Sequence, residues 1–190
     1  MRVGIAHHLG WAVVVTATRE YKVMDRRRME LIDDSLPTAP IHHEGGTHPM
    51  HGSGELRDDE NLAELVSLVR ESAMRSATAG FDALANSLPT PITEVAIRKW
   101  PSDFPTDVSV LRRPPFESRA DSVMYCHVLA DAAAARGWRV VTYDARTVES
   151  EAAIRLGERA PDVLFGPQQT LGAPWTKDHR VALAATIVAV

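Results

Sequence analysis

The fold is decided by residues 3–33. Val3-Gly4-Ile5-Ala6 is a short apolar strand, Leu9-Gly10 offers a turn, and Trp11 to Thr18 reads WAVVVTAT. That second stretch is rich in β-branched residues, as a buried strand requires. After a polar break at Arg19-Glu20, Tyr21 to Asp33 reads as a third strand. Tyr21, Val23, Met29 and Leu31 are placed on one face of it, and Lys22, Arg26, Arg28 and Glu30 on the other. Both turns are too short for helical crossovers, so the three strands form an antiparallel meander.

Working outward from the meander, the chain alternates helix and strand. Asp34 to Arg57 is a long Pro- and Gly-rich loop holding His42, His43, His48 and His51. Loops of this length are uncommon in compact domains. A helix capped by Asp58 or Asp59 follows, with a buried stripe from Leu62 to Leu88, and Pro89 and Pro91 end it. Val95-Ala96-Ile97 is a strand, Ser102 to Phe116 a loop, and Glu117 to Arg136 an alanine-rich helix stopped by Gly137. Arg139 to Tyr143 is another strand, Thr147 to Leu156 a helix, and Pro161 to Pro174 irregular. Thr176 caps a last helix reaching Val190. Strands entered through helices lie parallel to the first. The expectation is one α/β domain over residues 1–190: a mixed five-stranded sheet, three strands antiparallel and two parallel, flanked by helices, with a His-rich insertion at 34–57.

Composition narrows the function classes. The 190 residues are 45% hydrophobic and 24% charged, as in ordinary globular proteins. The single cysteine, Cys126, excludes an internal disulfide framework and fits a cytoplasmic protein. The longest apolar run, Val181 to Val190, is too short to span a bilayer, and no signal peptide is read at the start. A net charge of −4 argues against wholesale coating of DNA but leaves room for a local basic patch.

The order of elements resembles the RNase H-like fold, and within it the RuvC-type Holliday-junction resolvases. The resemblance is carried by Val3-Gly4-Ile5-Ala6 with Gly10-Trp11-Ala12-Val13, by Val95 to Trp100, and by Asp178 to Ala184. It implies a nuclease scaffold, nucleic-acid partners and a homodimer. Such enzymes cut phosphodiesters with two divalent metals held by carboxylates. Here the positions that the resemblance assigns to those acids carry Ala6, Arg98 and Val181, and Asp178 survives one turn before Val181. An arginine about 4 Å from a divalent ion is repelled by ~8 kcal/mol at an effective dielectric of ~20. The expectation is therefore a degenerate module that binds nucleic acid or a protein partner without two-metal cutting.

Three candidate sites follow. Arg98, Lys99, Arg112 and Arg113 form a candidate nucleic-acid patch, with Trp100 beside it to stack on a base. The alternative is arginine-rich decoration around a core tryptophan. The loop histidines, joined by His7 and His8 near Asp178 and His179, would hold a divalent transition metal such as zinc, nickel or copper and support an active hydrolase. The alternative there is a solvated loop that binds nothing. Asp178 and His179 are the candidate catalytic pair, although an acid in a first helical turn is favoured by the helix dipole alone. A structural, self-associating protein is the third possibility.

Overall fold

The computed structural model describes residues 1–47 and 57–189. A five-stranded sheet runs β1 (Arg2–His7), β2 (Trp11–Ala17), β3 (Val23–Glu30), β4 (Glu94–Arg98) and β5 (Arg139–Tyr143) in the spatial order β3-β2-β1-β4-β5. The first three strands pair antiparallel, and β4 and β5 run parallel to β1. The expected mixed sheet is the observed one.

Helices cover both faces, and strand alternation decides which side chain meets which helix. On one face Val3, Ile5, Val14, Val95 and Ile97 pack against α1 (Asp59–Ser87) and α3 (Glu117–Ala134), with Phe81 and Tyr125 fully buried between them. On the other, Ala6, Val13, Val15, Ala96 and Tyr143 pack against α4 (Val148–Leu156) and α7 (Lys177–Val188). Helix α7 lies so close to β1 that a Cβ on Gly4 would sit 1.8 Å from the Ala182 carbonyl oxygen. Glycine is required there.

Several expectations are corrected in detail. Tyr21 and Val23 do not share a face with Met29 and Leu31. A bulge at Thr16/Ala17 leaves Met24 without a ladder partner and moves the earlier residues to the α7 side. Residues 160–171 are helical, as α5 (Ala160–Phe165) and α6 (Pro167–Leu171), because Pro161 and Pro167 stand at helix starts, where proline is tolerated. The loop after Pro101 contains a short helix, α2 (Val108–Leu111), capped by Asp107. Asp58 rather than Asp59 caps α1, accepting from the Asn61 backbone N–H at 2.8 Å.

The long insertion is partly folded against the core. Pro40–Gly45 forms a π-helical turn with Ile41 buried beside Leu62 and Ala120. Asp121 of α3 holds it, its two carboxylate oxygens accepting the backbone N–H groups of Ile41 and His42 at 3.1 and 2.9 Å. No helix among the described residues is long and apolar enough to cross a membrane.

Candidate functional site

Parallel strands end on the same side, so β1, β4 and β5 release their following residues together at one edge of the sheet. Ligands of open α/β sheets bind in such crevices. Here the strand ends and the first half of α3 enclose a cleft of about 930 Å³. Residues His7 and His8 enter it from β1, Arg98 to Pro101 from β4, and Asp144 to Arg146 from β5.

The lining is cationic. Arg98, Lys99, Arg119 and Arg146 converge there, against Asp144 as the acidic member. None of these four cations has a carboxylate partner among the described residues. That sets them apart from Arg27, Arg28, Arg70, Arg136, Arg139 and Arg180, all of which are in ion pairs. Trp100 lines the same wall, half-buried, with its ring centroid 5.1 Å from that of the exposed His127.

The expected patch is thus redrawn. Of the residues expected in it, Arg98, Lys99 and Trp100 line the cleft. Arg112 does not: it is 7% exposed, donates to the Gly45 carbonyl at 3.0 Å, and pairs with Asp59. It is a structural residue tying the insertion to α1. Arg113 is exposed but lies outside the cleft lining. Arg119 and Arg146 take their places, and neither was found from the sequence. Each stands far along the chain from Arg98, and only the folded strand ends unite them.

The floor of the cleft explains the buried titratable groups. His7 is 1% exposed, with Nε2 3.2 Å from Ser122 Oγ and 3.6 Å from Cys126 Sγ. Burial, with the Arg98 charge adding to it, lowers the His7 pKa to about 3, so the ring is neutral. Burial likewise pushes the Cys126 thiol up to about 12. A neutral thiol beside a weakly basic imidazole is not an activated nucleophile–base pair.

At the mouth, Asp178 and His8 are brought together, Oδ2 lying 3.2 Å from Nε2. The His8 ring stacks on Trp11 at 4.1 Å. His179 is placed elsewhere in the local architecture. Its Nδ1 accepts from the Thr176 backbone N–H at 3.1 Å and lies 2.9 Å from the Thr176 hydroxyl, closing a capping box at the start of α7. The ring is engaged in a helix cap, not presented with Asp178 as a catalytic pair.

The described histidines of the expected metal site stand in two places. His42 and His43 stand in the π-helical turn, His7 and His8 at the end of β1, and no group of three metal-ligating side chains forms among the described residues. His48 and His51 lie outside the described residues.

The resemblance to RuvC now meets the geometry. The solved structure of T. thermophilus RuvC in complex with Holliday junction substrate superposes over 98% of this chain and 90% of that one, with a TM-score of 0.51 at 12% identity. The chain has the RuvC fold. A second structure of Thermus thermophilus RuvC covers the same share of this chain, with 14% identity and a TM-score of 0.48. No family model and no curated protein matches the sequence.

At the three positions that the resemblance assigns to metal-holding acids stand Ala6, Arg98 and Val181. Ala6 and Val181 share one apolar cluster with Tyr143, whose hydroxyl crosses to the Ile5 carbonyl. Arg98 stands at the end of β4, in register with Tyr143.

Proposed function

We propose that this protein is a RuvC-like module that binds nucleic acid in the cleft at the strand ends and does not cut it by two-metal chemistry. The reading is carried by one observation: four cations without carboxylate partners among the described residues gather in a single cleft, in a chain whose net charge is −4. Unpaired charges held together repel one another, and an anionic ligand offsets that repulsion. Phosphates are the anions that a row of Arg and Lys takes most readily. The fold supports the reading, since the RuvC it resembles was solved with a Holliday junction. The protein is read as cytoplasmic and as a homodimer, the second from the resemblance alone.

The test is equilibrium binding to labelled branched and linear DNA across a salt series. Binding should weaken steeply with salt. Lys99→Ala/Arg119→Ala/Arg146→Ala should weaken it and flatten the slope by ~0.7–0.9 for each phosphate no longer neutralised. Equal affinity of the triple variant would move the binding surface elsewhere.

A further inference from the structure

The sheet is open along β3, an edge strand paired with β2 alone. The Leu31 N–H donates to the Gly10 carbonyl at 2.8 Å, which fixes the phase of that ladder. Backbone groups alternate along an antiparallel pair, so Arg27 and Met29 turn theirs to β2, and Arg28 and Glu30 turn theirs outward. Outside the sheet, neither Arg28 nor Glu30 has a backbone hydrogen-bond partner among the described residues. Such an edge is a template for a further strand.

The helix beneath the edge leaves room for one. Along β3, α1 keeps close: Ser72 Oγ accepts the Asp33 N–H at 3.0 Å, Arg27 donates to Ser87 Oγ at 2.8 Å, and a Cβ on Gly80 would sit 2.7 Å from the Met29 sulfur. Arg70 of α1 pairs with Asp131 of α3, which marks the opposite flank of the helix. On the flank turned away from α3 stand Leu65, Leu68, Ser76, Ala79 and Ala83, spaced as one helical face. That face is uncharged, and its Leu68 is 53% exposed. Its small side chains allow a second helix to approach within the usual packing distance of about 8–10 Å.

Charge decides which strand the edge accepts. Arg28 is held in place, its guanidinium carbon 4.0 Å from the Trp11 ring centroid and paired with Glu30, and both charged residues are exposed. Antiparallel pairing of β3 with its own copy about Met29 sets Arg28 opposite the partner's Glu30, and Glu30 opposite the partner's Arg28. The four charges then alternate around a square. Centred on Arg28, the same pairing sets Arg28 against the partner's Arg28; centred on Arg27, it sets Arg26 against the partner's Arg28. Like charges directly opposite are destabilising, so the register about Met29 is selected. We propose that a second copy of this chain docks on this edge, β3 against β3 about Met29 and α1 against α1. The inference rests on the homodimer reading above and gives it a surface; nucleic-acid binding in the cleft is independent of it.

The experiment is analytical ultracentrifugation of the full chain over a concentration series. The wild-type protein should dimerise. Arg28→Glu alone and Glu30→Arg alone each turn two attractive pairs into repulsive ones, and each should weaken the dimer about tenfold. Mixing the two variants in equal amounts should restore wild-type affinity as a heterodimer, an outcome that misfolded variants could not give. Ala79→Arg, on the exposed face of α1, should weaken the dimer as well. A wild-type protein that stays monomeric overturns the inference and the homodimer reading together, and leaves the nucleic-acid reading standing. A dimer that Arg28→Glu and Ala79→Arg leave intact overturns the inference and moves the homodimer contact to another surface. Weakening by both charge variants without rescue on mixing overturns it too, because the pairing about Met29 requires that rescue.

Discussion

The Tyr143 hydroxyl donates to the Ile5 carbonyl at 2.7 Å, joining β5 to β1 across the intervening β4. The reach is open because Ala6 and Ala96, in the same apolar cluster, are small. Burial raises the Tyr143 pKa, so the phenol stays protonated and the bond persists. Tyr143→Phe removes a buried donor and should lower stability by ~1–2 kcal/mol in urea unfolding. An unchanged midpoint would show that the bond contributes nothing.

Nuclease assays give the second prediction. Purified protein should leave branched DNA, single-stranded DNA and RNA–DNA hybrids intact with magnesium or manganese, as should Asp178→Asn. Ala6 and Val181 offer no ligand atoms, and Asp178 is engaged with His8. Metal-dependent cleavage that disappears in Asp178→Asn would refute this.

The third prediction concerns acid stability, where two buried groups oppose each other. An unfolded histidine binds a proton below 6.5, but His7 in the folded chain waits until about 3. Its contribution is therefore complete above 6.5 and is lost as pH falls towards 3. Burial raises Asp121 from 3.8 to about 6, against the pull of its two backbone donors. The folded state thus takes up that proton first, and stability from Asp121 is gained on acidification and lost as pH rises through 6. Each slope is about 1.4 kcal/mol per pH unit, and between about pH 4 and pH 6 they offset. Urea unfolding at a series of pH values should show Asp121→Asn losing stability with acid across this window. His7→Gln should show the reverse tilt. Parallel profiles for the two variants would contradict both assignments.

Cys126 supplies the fourth. With its thiol pushed up to about 12 and its side chain in the core, it should resist thiol-modifying reagents at pH 8 in the native protein and react fully in denaturant. Rapid native labelling would mean that the floor of the cleft opens.

Much of the fold was legible because WAVVVTAT and the short turns around it admit few alternatives to a meander. The bulge at Met24 was not, because no glycine or proline marks it. The helices at 160–171 were hidden by Pro161, Gly166 and Pro167, which punctuate loops as readily as they start helices. At the site, Arg98, Lys99 and Trp100 could be read from their strand. Arg112 and Arg113 are neighbours in sequence, yet one turns inward to Asp59 and the other to solvent. Sequence adjacency misled there, and sequence distance concealed Arg119 and Arg146.

The close approach of Gly4 to the Ala182 carbonyl has a kinetic consequence. The central strand leaves the ribosome well before the helix that covers one of its faces, because that helix lies far downstream of it in the chain. Until residues 177–188 emerge, Ala6, Val13 and Val15 have no α7 to pack against, and an exposed apolar strand face invites pairing with other chains. Closing so long a loop makes this a high-contact-order step, so refolding should be slow. Adding a side chain at that strand position, as in Gly4→Ala, should block the docking of α7 and leave a half-covered sheet as the species that accumulates.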